Sequence, residues 1–539
     1  MSHAKLYRWS GCTSLPAAAT GQASRPVVRL ATRCTLGFAV GLSTGLVLTG
    51  CRANDAGNDA AVRDAGADAD VRADVTSASS DLPLAGKETS PDLPGAHADR
   101  ADASSPSGFS DVRAAVPDQA IEVVPATPDQ GRDSAPSCVT TPVPQANFPF
   151  PQNRFGSYCG KPTSYSNDDV QRAYCQWKSD TVTTSGVGGC PQGGCYRVQR
   201  PNEPSLDKDS TVSEGIGYGM LIAVVMNDQQ LFDGLWKYEQ QFLDQYGLMN
   251  WYIKPDGSGP DTGGTGGATD ADEDMAFALI MADKQWGGQG SLGQSYLALA
   301  KSQITNVWNH EIINSQVIGP GDAWGDWSTL NISYFATSYY PIFAKVDSDS
   351  SHVWGTVAST CYDVIANTLN SANGNQSNGL VPAWASCSST SCSPNANAFG
   401  NQPGQAPTNY QYDSCRVPFR IGLDYCWNGN PSAQGYLAKT SAFFSAIGAS
   451  EIVDGYALNG TAQPVTPQAS PGTSAAFIGP AAVGAMSSSS FLSFVNDAYA
   501  SVATLQDMTG GTYYDDSWMM LSLLAMTGNF FDYTNPPGN

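Results

Sequence analysis

The chain has 539 residues and carries 49 acidic against 27 basic side chains, a formal net charge of −22, which excludes partners such as nucleic acid that need a basic stripe to neutralise phosphates. A neutral polysaccharide is compatible with such a surface, although charge alone does not select it. Length would allow several average domains, but the composition divides the chain unevenly.

At the N-terminus, Arg25, Arg29 and Arg33 precede the apolar run Thr35 to Leu48, which ends in Leu48-Thr49-Gly50-Cys51. The run is short for a membrane-spanning helix, and a small residue before Cys51 is what signal cleavage requires, so residues 1–51 resemble a bacterial lipoprotein signal. That resemblance implies that Cys51 becomes the lipidated first residue of an exported protein, held to the membrane at the cell envelope or surface. An ordinary secretory signal with a chance cysteine, releasing the protein outside the cell, is the alternative. The lead-in of residues 1–24 is long for such a signal, and a start downstream of Met1 is expected. Residues 52–137 consist of Asp, Ala, Pro, Ser, Arg and Gly with almost no aromatic side chains. Such a segment cannot bury enough apolar surface to offset its ordering entropy and reads as a disordered acidic linker. From 138 to 539 the Trp, Tyr and Phe content rises, and these residues suffice for one large core.

Cys12, Cys34 and Cys51 fall in the signal, which leaves an even set of cysteines from Cys138 to Cys426. In an exported protein such a set suggests disulfides. The pairs Cys190/Cys195 and Cys387/Cys392 sit in Gly/Ser-rich loops and are expected to close small rings. Zinc is disfavoured, because His310 and His352 are the only histidines in this region and no Cys-x-x-Cys occurs. No cofactor or metal is expected.

Apolar periodicity predicts helices over 166–178, 213–226, 229–244, 270–286, 293–309, 332–345, 351–370, 415–428, 432–448, 473–486, 489–506 and 515–527. Long Gly-, Ser-, Asn- and Pro-rich loops at 253–267 and 388–409 interrupt them. Stretches such as 218–225 and 275–282 are apolar nearly all round, which means burial, whereas 229–244 is more polar. Periodicity therefore supports an all-α domain.

Within it, Ala268 to Trp286 (ATDADEDMAFALIMADKQW) places Asp270, Asp272, Glu273 and Asp274 ahead of a helical apolar pattern. Thr269 or Asp270 is a candidate cap, and on local grounds these carboxylates cap and solvate a helix start. The whole string A-T-D-A-D-x-x-M-A-x-A-L-I-x-A-x-x-x-W, however, resembles the signature of glycoside hydrolase family 8, the inverting endo-β-1,4-glucanases with their xylanase and chitosanase relatives. Thr211 to Met220 (TVSEGIGYGM) and Tyr412 to Arg416 (YDSCR) agree with that family in the expected order, and similarity runs from about Phe148 to Asn529. The resemblance implies an (α/α)6 barrel of six helical hairpins.

With so few histidines, carboxylates are the available acid-base groups, and an inverting glycosidase needs one to protonate the leaving oxygen and one to deprotonate a water. Glu214 is the expected general acid. Three glycines follow it within five residues, which suggests space for a sugar, with an apolar helix behind to raise its pKa. The alternative is a helix start whose glycines serve close packing. Asp413 is the expected general base, with Arg416 one turn on to hold it ionised; alternatively Asp413 caps a helix and Arg416 is its ion partner. The resemblance makes Asp270 the carboxylate that binds the sugar at the cleavage point and supports ring distortion. Asp272 and Asp274 are read as structural, since the glycine of an EF-hand calcium loop is missing. Trp251, Trp324 and Tyr334 match family positions where aromatics stack on sugars or, for the tyrosine, approach the catalytic water. Around Trp324 the usual Gly-Gly is replaced by Gly325-Asp326, and Trp327 is extra. Tyr412 and Arg416 complete the expected substrate-contacting set.

The sequence thus leads to an exported, lipid-anchored inverting hydrolase acting inside β-1,4-linked glucan, cellulose-like or mixed-linkage, and expected to be a monomer. Its alternatives are a xylanase or chitosanase of the same family, or a glycan-binding protein that kept the barrel and lost turnover.

Overall fold

Twelve α-helices form among the described residues of the computed structural model, which are Cys138, Val143 and 145–538 apart from 203–207, 323, 389–390, 399–405, 467–468 and 506–512. The signal with Cys51 (1–51) and the linker (52–137) lie outside them. In chain order the helices are α1 (Asn167–Thr181), α2 (Ser213–Val225), α3 (Gln229–Glu239), α4 (Thr269–Gln285), α5 (Tyr296–Glu311) and α6 (Tyr340–Val346). They continue with α7 (Trp354–Thr368), α8 (Val417–Asn428), α9 (Pro431–Ile447), α10 (Ala475–Ala485), α11 (Leu492–Thr504) and α12 (Tyr513–Met526). Several begin where a side chain takes up an orphan N–H: Ser166, Asp228, Ser295 and Asn430 accept from the backbone of Asp168, Leu231, Ala298 and Ser432.

The helices alternate between two layers. α2 packs on α4, α8 on α10, α10 on α12, and α12 back on α2, while the 3-10 turn Ile332–Tyr334 bridges α4 and α8 and closes the ring. The odd-numbered helices lie outside, α3 on α2, α5 on α4, α7 on α6, α9 on α8, α11 on α10 and α1 on α12. This is the (α/α)6 barrel. Burial follows the same alternation: every residue of α2 except Glu214 is buried, as is all of α10, whereas α1 and α9 bury one face.

One expected helix is divided. Residues 332–345 form the 3-10 turn, a break, and then α6. Pro341 lies in the first turn of α6, and a helix running through it would lose a hydrogen bond and clash with the carbonyl of Thr337. Short strands not foreseen from periodicity tie loops to the barrel. Thr211–Val212 pairs antiparallel with Tyr252–Ile253, and Trp384–Cys387 lies between Leu330–Asn331 and Cys392–Pro394. Disulfides join Cys190 to Cys195 and Cys387 to Cys392 as expected, and also Cys138 to Cys175 and Cys159 to Cys426. Cys361 and Cys415 are buried free thiols.

The acidic start of α4 corrects the local reading. Its cap is Ala268, with no side-chain cap bond, and Asp270, Asp272, Glu273 and Asp274 are all buried at 2% exposure or less. Asp274 forms a two-pronged pair with Arg420, at 2.9 and 3.0 Å. Burial pushes Asp272 and Glu273 well above the usual carboxylate range, Asp272 further because Glu239 and Asp322 are close. Glu239, ending α3, is itself driven by burial from 4.5 to about 8, against the one hydrogen bond from Gln240.

Because the folded state keeps a proton on Glu239 that the unfolded chain releases, the stability this group contributes is greatest in acid and is lost as pH rises from about 4.5 to about 8. Glu239→Gln, neutral at every pH, is expected to melt like the parent at pH 5 and above it at pH 8, measured by thermal unfolding across that range; parallel curves for the two proteins would contradict the assignment.

Candidate active site

Glu214 owes its place to two local devices. The pairing of Val212 with Tyr252 brings the start of α2 against Trp251, whose carbonyl accepts the Ser213 N–H at 2.9 Å. The glycines after it serve close packing, the alternative weighed above, and do not clear space for a sugar. A Cβ on Gly217 would meet Ala271 O at 3.2 Å and Asp274 Cβ at 3.1 Å, so this glycine lets α2 lie directly on α4 and sets Glu214 beside Asp270. On Gly219 a Cβ would meet Leu235 at 2.8 Å, and on Gly215 the Tyr513 ring at 3.0 Å.

Asp413 and Arg416 come from the 3-10 turn Ser414–Arg416 that leads into α8. Asp413 precedes the turn but makes no cap bond with its side chain. Arg416 is fully buried, and its guanidinium joins all three carboxylates rather than Asp413 alone. Nη1 donates to Glu214 Oε2 and Asp270 Oδ2, each at 2.5 Å, and to the Tyr218 hydroxyl at 3.2 Å. Nη2 donates to Asp413 Oδ1 at 3.2 Å and Ser333 Oγ at 2.6 Å. Burial penalises the guanidinium charge, but Tyr514, Tyr218, Asp270 and Glu214 outweigh it and hold the pKa well above the ordinary value.

Each carboxylate has a distinct setting. Asp413 is 1% exposed, with Oδ1 also accepting from Asn331 Nδ2 and Oδ2 from Gln411 Nε2, both at 3.1 Å. Asn331 is locked in that orientation because its own oxygen accepts the N–H and hydroxyl of Ser333. Asp270 gives Oδ2 to Arg416, while its buried Oδ1 accepts no hydrogen bond from the described residues. Glu214 is the most open of the three, its side chain 17% exposed, and Oε1 accepts from the Tyr513 hydroxyl at 2.7 Å. The apolar helix expected behind it is α2 itself, and a guanidinium and a phenol stand at its carboxyl oxygens.

The aromatic residues divide. Tyr334 lies over the Arg416 guanidinium at 5.2 Å, and Trp384 continues the line of rings, 6.4 Å from Tyr334 and 5.8 Å from Trp324. Trp251 is half-buried, its indole N–H on the Gly263 carbonyl at 3.0 Å. Tyr412 is held within the protein, its hydroxyl on Asp454 at 3.0 Å and its ring packed edge-on to Phe477 and Tyr514. Sequence reasoning gave no role to Ser333, Asn331, Gln411, Trp384 or Tyr513. The first two stand within three residues of Tyr334 and Gln411 borders YDSCR; nothing local marks Trp384 or Tyr513.

Three carboxyl groups gathered on one guanidinium, one of them partly open, are the equipment of acid-base chemistry, and comparison with known proteins agrees. The family model described as glycosyl hydrolases family 8 matches residues 159–528. Endoglucanase A of Acetivibrio thermocellus is 38% identical over 356 residues, covering 66% of this chain and 68% of the relative. Endoglucanase C of Ruminiclostridium cellulolyticum is 35% identical over 378 residues, 69% of this chain and 75% of that one. Among solved structures, the apo β-1,3-1,4-glucanase from Paenibacillus sp. X4 superposes with a TM-score of 0.63 at 30% identity, covering 72% of this chain and all of its own. Rex8A from Paenibacillus barcinonensis, complexed with xylose, shares the fold at a TM-score of 0.54 and 20% identity, over 69% of this chain and 98% of its own. With the family model matched across more than half its length, this chain is a glycoside hydrolase and belongs to glycosyl hydrolases family 8.

Proposed function

We propose that the protein hydrolyses internal β-1,4 bonds of glucans, cellulose-like or mixed-linkage, with inversion at the anomeric carbon. The observation that carries this reading is one guanidinium shared by Glu214, Asp270 and Asp413. In it Glu214, the most accessible, protonates the glycosidic oxygen as the C–O bond breaks. Asp413, oriented by Asn331 and Gln411, takes a proton from the water that attacks the opposite face. Asp270 is the carboxylate that binds the sugar at the cleavage point, and its Oδ1 has no donor among the described residues. A glycan-binding role would have no use for the acid-base pair.

The substrate class follows from relatives named endoglucanase or β-glucanase. Exo-oligoxylanases of the family match at 25–26% identity, which makes xylan the competing substrate in a reducing-sugar assay. Export and anchoring through Cys51 rest on the signal-like N-terminus alone.

Proton NMR of fresh hydrolysate is expected to show the α-anomer first from a β-linked chain, and a β-anomer first would overturn both role assignments. Glu214→Gln and Asp413→Asn should each lower kcat on polysaccharide by roughly 10²–10⁴ with folding retained, the range expected for a lost acid or base. Cys51→Ser is expected to move the protein from the detergent phase to the aqueous phase on Triton X-114 partitioning of cell extracts; unchanged partitioning would refute the lipid anchor.

A further inference from the structure

The Glu214 carboxyl divides its oxygens between two donors of different kind. Oε2 faces the Arg416 guanidinium, which can only donate; Oε1 faces the Tyr513 hydroxyl, which can donate or accept. The approach of Tyr513 is built into the barrel. It opens α12, which packs on α2, and its ring edge lies where a Cβ on Gly215 would stand 3.0 Å away. A side chain at 215 would meet the ring more tightly than an ordinary contact, so the ring would have to give by a few tenths of an ångström.

We propose that Tyr513 is a positioning residue for the general acid: its hydroxyl fixes the Glu214 carboxyl and stabilises the carboxylate formed when the proton leaves for the glycosidic oxygen. The inference rests on Glu214 being that acid. In the step, the O–H bond of Glu214 breaks as the proton passes to the departing sugar oxygen. The negative charge left on the carboxyl is met by Tyr513 on one side and Arg416 on the other. A donor aimed at the ionised form lowers the pKa of an acid, so loss of the hydroxyl makes Glu214 a weaker acid and raises it. Among the described residues, this site is also faced by Arg416 before α8, Tyr218 on α2, Asp270 on α4, Tyr514 on α12 and Arg200. Burial holds Tyr218, Tyr513 and Tyr514 well above the usual phenol range, so they stay neutral where Glu214 titrates.

Tyr513→Phe keeps the ring against Gly215 and removes only the hydroxyl. The alkaline limb of kcat/KM on β-glucan is expected to move up by about one pH unit, the size of one charged hydrogen bond. Turnover of β-glucan at the plateau should fall roughly tenfold, while a 2,4-dinitrophenyl β-cello-oligosaccharide, whose leaving group needs no proton, should change less than about twofold. Gly215→Ala, which presses on the ring with the phenol intact, should move both readouts in the same direction by less and serves alone if Tyr513→Phe does not fold. An unmoved alkaline limb, or equal losses on both substrates, would overturn the role of Tyr513. A Glu214→Gln control still active on β-glucan would instead overturn the acid assignment on which it rests.

Discussion

A buried arginine that meets three carboxylates is the constraint from which the rest of the site follows. Removing a guanidinium from water costs several kcal/mol, and the cost is recovered only where its donors are met by well-placed acceptors. Arg416 has such acceptors because Glu214, Asp270 and Asp413 arrive from α2, α4 and the turn before α8, three elements of the inner ring. The closed ring is what lets them point at one centre. One cation for three carboxylates leaves the cluster negative, which suits chemistry that must gain and lose protons.

Around this centre the protein keeps charge where it is paired and neutralises it where it is not. Arg420 pairs with Asp274 one layer away, in a geometry of two parallel bonds. Asp272, Glu273 and Glu311, equally buried, are all pushed well up by desolvation, so their neutral forms are favoured in the folded state. The acidic composition thus has two meanings. Much of it is surface charge, but the carboxyls at the start of α4 are interior groups whose protonation ties stability to pH. The glycines of α2 belong to the same construction, since Gly217 allows the close contact with α4 that sets Asp270 beside Glu214.

Local signals were legible in the sequence, and long-range ones were not. Caps and apolar periodicity place the helices because both act within a few residues, and the two short disulfide loops are likewise local. The 332–345 region broke at Pro341, whose effect on the preceding turn was there to be read. The acidic turn at 270–274 looks solvated from its neighbours alone, because the arginine that receives Asp270 lies 146 residues on. The partner of Asp413 sits three residues away and was readable; Tyr513 is 299 residues from Glu214, and no local pattern links them. The glycines after Glu214 read locally either as room for a sugar or as close packing, and only the residues they meet on α4, α3 and α12, distant in sequence, decide for packing.

Arg416 holds Glu214, Asp413 and Asp270, the acid, base and sugar-binding carboxylate of the proposed mechanism, together through a planar fork of donors. The most direct measurement is kcat/KM of Arg416→Lys on β-glucan, with thermal unfolding recorded on the same sample. Lysine keeps the charge but not the fork, so it leaves at least one carboxylate unheld. A cooperatively folded variant with kcat/KM reduced roughly a hundredfold or more is predicted, the scale of a catalytic group misplaced by about 1 Å. Activity within a few-fold of the parent would show that the carboxylates keep their places without the guanidinium, and would contradict the account.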